Sequence, residues 1–269
     1  MSRLSLALSL AGLLVFAADG GASSGGKAVK IAASTTPWTV VKSHVAITGT
    51  VTPHPPGITV TLQQRQGTGW LAVSETPVHS NGTFSFRTEP SRVGLATYRV
   101  VTTKGTSYVG SSARVPVRVL HWRYVTDIAE FEYVTPTPGS GSLTTDPIVS
   151  DGVRYEHAIS LDPGCYNQWG GNAWIDFILE RQYEQFSATV GLDDQAASGA
   201  TATYVVLGGD GRKLATGSLV RSEATKVKVS VSGEYRLRLW VNVPDPNNAA
   251  GCSPYFTHVV FGDAQLLGP

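Results

Sequence analysis

Cysteine is nearly absent, with only Cys165 and Cys252 in 269 residues. Charge is scarce too: 15% of residues are charged, and 21 basic against 20 acidic side chains leave a net charge of +1. Such a chain has no field to draw in phosphate backbones, which argues against nucleic acid as a partner. Low charge with 42% apolar residues also excludes a disordered tail or a solvated coiled coil. Catalytic signatures are missing. There is no Gly-x-Ser-x-Gly elbow, no His-Glu-x-x-His and no phosphate-cradling Gly-x4-Gly-Lys-Ser/Thr. The six histidines are scattered without metal-ligand spacing. Glu130 and Glu132 form a carboxylate pair of the kind glycoside hydrolysis uses, but any β-protein with this many acids offers such pairs. The chain is therefore expected not to be an enzyme.

One long apolar run is present, Leu4 to Phe16, preceded by Arg3, and Val15-Phe16-Ala17 offers small residues at the two positions that a signal peptidase reads. It is too short to span a bilayer and reads as a secretory signal peptide, residues 1–17, cleaved after Ala17. No cysteine follows it to carry a lipid anchor, and no later stretch is apolar enough to cross a membrane. A secreted, extracellular protein is expected. Residues 18–36, rich in Gly, Ser and Ala, have too little apolar surface to offset the entropy of ordering and read as a flexible tether.

Glycine and proline are abundant, at 29 and 15 residues, and long helices are not expected. Residues 37–119 break into seven short β-rich runs, among them Val45–Val51, Ile58–Gln64, Thr83–Arg87 and Ala96–Thr102. Asn81-Gly82 tolerates positive φ at both turn centres and predicts a hairpin leading into Thr83. Seven such strands predict an immunoglobulin-like β-sandwich. The pattern Thr48-Gly49-Thr50-Val51, Pro56-Gly57-Ile58-Thr59-Val60-Thr61-Leu62-Gln63, Gly69-Trp70, Gly82-Thr83-Phe84 and Tyr98-Arg99-Val100 resembles the Ig-like repeats of secreted bacterial surface proteins. Residues 120–269 carry longer alternating runs, from Trp174–Leu179 to Val259–Leu266, and one short helical stretch at Val125–Phe131. They predict a jelly-roll β-sandwich. The fold class is all-β throughout, one sandwich after another.

Within the second half, Ile175–Asp194 (with Phe-Ser-Ala-Thr-Val-Gly-Leu-Asp-Asp its most specific piece), Gly208-Gly209-Asp210-Gly211-Arg212-Lys213-Leu214, Ser232–Leu239 and Phe261-Gly262-Asp263-Ala264-Gln265-Leu266 follow one another in an order that resembles the NPCBM family, the novel putative carbohydrate-binding modules. The resemblance implies a galactose-binding-like jelly roll that holds a carbohydrate or cell-surface glycan. Gly152–Ile159, Thr257 and Phe261 depart from the family pattern, which leaves open a structural or adhesion protein of the cell surface without a working sugar site. Galactose-binding-like folds often hold a structural calcium, and Asp193 with Asp194 are the candidate ligands. Turn capping is the other reading of those two residues, and no further cofactor is expected.

Two cysteines in an exported chain are expected to pair, Cys165 with Cys252. Neither has a neighbouring His or basic cluster to activate it as a nucleophile. Their loops carry the densest aromatic and amide cluster in the chain: Tyr166, Asn167, Gln168, Trp169, Asn172, Asn247, Asn248 and Tyr255. Rings offer flat apolar faces to sugar C–H surfaces, and amides offer partners to hydroxyls. Those aromatics also suit a second role, capping the end of the sandwich. Trp240 shares a strand face with Arg236, Arg238 and Asn242. It is a second stacking candidate, unless a loop or the first domain covers it.

Overall fold

The computed structural model describes residues 26–103, 107–128, 131–134, 142–162, 171–243 and 257–269, with backbone alone for 131–134 and 142. The chain divides into two compact units that meet in sequence between Leu120 and His121. Among the described residues there is no α-helix. The helical stretch expected at Val125 is a single 3-10 turn, Val125–Asp127.

The first unit is built from two sheets. Lys30–Thr35, Val45–Thr52 and Thr83–Thr88 form one, with Val45–Thr52 in the centre. In the other, Gly94–Thr102 lies between Thr59–Gln66 and the first half of Val115–Tyr124. Gly69–Pro77 pairs the outer side of Thr59–Gln66, and Trp38–Val40 runs parallel to Val115–Tyr124. Alternation explains the packing: Val60, Leu62, Tyr98, Val100, Val115 and Val117 point inward against Ile31, Ile47, Phe84 and Phe86. Each such buried side chain contributes roughly 1.5–3 kcal/mol.

Two sequence expectations change here. The tether expected over residues 18–36 does not extend to its end. Val29 and Ile31 are buried, and Lys30–Thr35 pairs in unbroken register with Val45–Thr52. The composition is poor in apolar residues, but the few present sit at alternate positions, which is enough to join a sheet edge. The Asn81-Gly82 turn forms, with Gly82 at φ +83° and the Thr83 N–H donating to Asn81 Oδ1 at 3.1 Å. It does not close a hairpin. The strand before it, Gly69–Pro77, pairs with Thr59–Gln66, whereas Thr83–Thr88 pairs with Val45–Thr52. The turn carries the chain from one sheet to the other.

The second unit is an antiparallel sandwich of two five-stranded layers. Ser142–Thr144, Ala158–Asp162, Val259–Gly268, Gln185–Leu192 and Ala224–Ser230 lie side by side in the first layer. Residues His121–Tyr124 add to the far end of Val259–Gly268. The second layer runs Phe131–Val134, Gly171–Ile178, Arg236–Val243, Thr201–Gly208 and Lys213–Val220. From Ala158 onward the chain passes repeatedly between layers, the jelly-roll path. The core between them includes Leu161, Phe177, Phe186, Val206, Leu239 and Phe261. Phe261 meets Tyr204 edge-on, with centroids 6.4 Å apart.

Candidate functional site

The two cysteine loops lie outside the described residues, and with them Cys165, Tyr166, Asn167, Gln168, Trp169, Asn247, Asn248, Cys252 and Tyr255. Their roots lie among the described residues. Loop 163–170 leaves the first layer after Asp162 and returns into the second at Gly171. Loop 244–256 leaves the second layer after Val243 and returns to the first at Thr257. Gly171 is the direct strand partner of Val243, and Leu161 that of Val259. Directly paired residues in antiparallel strands have Cα atoms about 4.5–5.5 Å apart. Both loops are therefore rooted side by side, at both ends, at one end of the sandwich.

An ionisable group of three marks the first-layer root. His258 Nδ1 lies 3.5 Å from Asp193 Oδ2, and its Nε2 lies 3.8 Å from Asp162 Oδ2. The Asp193 carboxylate lifts the imidazole above its ordinary pKa; burial opposes this and the charge on Asp162 adds to it. Burial alone would raise the Asp193 carboxyl, but His258, the Gln195 N–H and Arg221 together hold it below the ordinary carboxylate range.

At the second-layer root the outward face is polar and aromatic. Asn172 stands opposite Asn242, Trp174 opposite Trp240, and Asp176 opposite Arg238. Asn242 Nδ2 donates to Asn172 Oδ1 at 2.7 Å and to the Gly171 carbonyl at 3.2 Å. Asp176, only 2% exposed, accepts a fork from Arg238 at 2.6 and 2.7 Å and a third bond from Arg236 at 3.1 Å. Arg238 also lies over the Trp174 ring, 5.0 Å from its centroid. Trp174 Nε1 is buried without a hydrogen-bond partner. Burying an indole N–H unpaired costs roughly 1–3 kcal/mol.

Of the residues expected at the site, the structure thus brings Asn172 and Trp240 onto one half-buried face beside the loop roots. Sequence reasoning placed Arg236, Arg238 and Asn242 with Trp240. It missed Trp174, Asp176 and the group formed by Asp162, Asp193 and His258. The strand alternation of Gly171–Ile178 could have grouped Asn172, Trp174 and Asp176, but their partners across the sheet depend on register. Asp193 and Asp194 do different work. Asp193 faces His258 and caps the Gln195 N–H at 2.9 Å, while Asp194 Oδ2 accepts the Gly152 N–H at 2.9 Å. Among the described residues no group of three or more His, Cys, Asp or Glu side chains converges to hold a metal.

A groove of about 600 Å³ lies at the opposite end of the sandwich, lined by Arg181, Asp210, Glu234, Tyr235 and Arg236 among others. Its polar groups are largely engaged: Glu234 accepts the Gly209 N–H at 2.8 Å and Arg212 Nη2 at 2.6 Å, and Asp210 caps the Arg212 N–H. The Gly152–Ile159 segment is structural as well. Tyr155 is buried, and His157 stacks on Tyr124 with centroids 3.7 Å apart.

The second unit is a jelly-roll sandwich with amide and indole side chains at the roots of two long loops. Residues 137–267, all within the second unit, match the NPCBM/NEW2 domain. Solved structures similar to the chain include the CBM51-2 and INT domains of Clostridium perfringens ZmpB, solved alone and with GlcNAc. In each case identity is 18%, with a TM-score of 0.41, covering 66% of this chain and 38% of that one. The chain thus spans well under half of that protein's length. The CBM51 of Clostridium perfringens GH95, solved with methyl-galactose, is 22% identical with a TM-score of 0.39, covering 54% of this chain and 99% of that one. The comparison with curated proteins gives no match.

Proposed function

We propose that the protein is secreted and non-catalytic, and that its second unit binds carbohydrate at the end of the sandwich where the two cysteine loops are rooted. One observation carries this reading: the paired roots, Gly171 opposite Val243 and Leu161 opposite Val259. From such roots the two richest stretches of rings and amides would come within reach of each other, next to Asn172 and Trp240. A Cys165–Cys252 disulfide is part of the proposal. Adjacent roots make the bridge geometrically cheap, and in chain-entropy terms it contributes roughly 4–5 kcal/mol for a loop of this size. The sugar's rings would stack on Trp169, Tyr166 and Tyr255 while Asn167, Asn172 and Asn248 take its hydroxyls.

A glycan array probed with the full chain tests the reading, with methyl-galactose and GlcNAc included because two neighbours are solved with them. Retention on at least one glycan, weakened tenfold or more by Trp169→Ala, is expected for loss of a stacking ring, at about 1.4 kcal/mol per tenfold. Absence of retention on every glycan removes the proposal and leaves the structural or adhesion reading.

A further inference from the structure

The outer face of the first unit carries a cationic cluster that the second unit's chemistry leaves unexplained. Gln63 pairs with Arg99 and Arg65 with Trp70 across three adjacent strands, so all four side chains share the solvent face of that sheet. Arg99 Cζ lies 4.3 Å and Arg65 Cζ 5.5 Å from the centre of the Trp70 ring. Each guanidinium spends its Nε on orientation: Arg99 Nε donates to Gln63 Oε1 at 2.8 Å, and Arg65 Nε to the Gly67 carbonyl at 2.8 Å. Among the described residues neither has a carboxylate within ion-pair distance. The acid on this face, Glu75, sits opposite Thr61 and accepts its hydroxyl at 3.2 Å. Thr61 is four residues along the strand from Arg65, about 13 Å away at ~3.3 Å per residue. Burial first, and then the charge on Arg65, lower the Arg99 guanidinium from its ordinary pKa.

Two forks held beside one indole, each with its Nε already bonded, match a planar or tetrahedral oxyanion through their remaining N–H groups. We propose that this face binds an acidic saccharide, through a uronate carboxylate or a sulfate ester held by Arg65 and Arg99. The charge of the patch calls for an anion. The choice of a saccharide over an acidic peptide rests on the carbohydrate-binding reading of the second unit, since two weak sites on one chain gain avidity when both engage one polymer. Trp70 and Gln63 orient the forks.

Affinity electrophoresis of the full chain through gels containing polygalacturonate, dextran sulfate or poly-glutamate tests this. Retardation by polygalacturonate assigns a carboxylate sugar, and retardation by dextran sulfate alone assigns a sulfate ester. In either case Arg65→Gln with Arg99→Gln should weaken retardation about tenfold or more, at two lost charge-assisted bonds, and added salt should weaken it in the parent protein. Should that pair unfold the chain, Arg65→Lys with Arg99→Lys keeps the charge, removes the forks and should still weaken the carboxylate interaction. Trp169→Ala should remove only the second unit's share of the retardation and leave the part that Arg65→Gln with Arg99→Gln abolishes, so a failure of the second unit to bind sugar is read separately. Retardation by neither polysaccharide, by poly-glutamate alone, or equally in parent and Arg-to-Gln variant overturns the proposal.

Discussion

His258 places its Nδ1 3.5 Å from the Asp193 carboxylate, at the point where loop 244–256 returns to the sandwich. With Asp162 on its other nitrogen, the imidazole joins the ends of three strands. Its raised pKa means that it stabilises the fold fully below about pH 6.5, its ordinary value, and loses that contribution as pH rises through the raised value. Asp193, with a lowered pKa, stabilises above the ordinary carboxylate range and loses its contribution as pH falls through the depressed value. Thermal unfolding followed across pH should therefore show greatest stability in mildly acid solution and a decline toward alkaline pH. His258→Gln should flatten the alkaline limb. An unchanged limb would show that the group does not couple to folding.

Asp176 is buried beneath two arginines. Asp176→Ala removes the buried carboxylate that both arginines share and should destabilise by about 3–5 kcal/mol, as broken buried pairs do. Arg236→Ala, which removes one longer bond at a more exposed site, should cost far less. Urea denaturation of both variants checks the order.

Gly262 faces the Tyr155 ring so closely that a Cβ would enter it. Gly262→Ala should cost about 1–3 kcal/mol by overpacking. Truncating Tyr155 as well, in Gly262→Ala with Tyr155→Ala, should relieve part of the clash; a double-mutant cycle on melting temperature reads the coupling.

The proposed sulfur bridge predicts that denatured protein shows no free thiol until reductant is added, and that reductant lowers the melting temperature. Two titratable thiols in the oxidised protein would contradict it.

Most of the strands were legible in the sequence, because alternation survives wherever one face meets a core. Thr201–Gly208 and Arg236–Val243 show it plainly. The sheet that each strand joins was less legible: Asn81-Gly82 announced a turn correctly but a hairpin wrongly, since strand partners depend on contacts far away in sequence. Lys30–Thr35 was hidden by composition. Its lysine, alanines, serine and threonine look like linker until the spacing of Val29, Ile31 and Ala33 is matched to the strand beside it. At the site, Asn172 and Trp240 could be named from loop and strand chemistry. The triad of Asp162, Asp193 and His258 could not, because register and loop closure bring its members together from separate strand ends.

Hydrogen exchange of the full chain with and without methyl-galactose or GlcNAc, read by mass spectrometry, tests the proposed binding site most directly. Binding at the loop roots predicts slowed exchange in peptides covering residues 158–176 and 240–262, and unchanged exchange around Tyr235. Slowed exchange confined to the groove at Arg181, Asp210 and Tyr235 would place the sugar at the wrong end of the sandwich and contradict the proposed site.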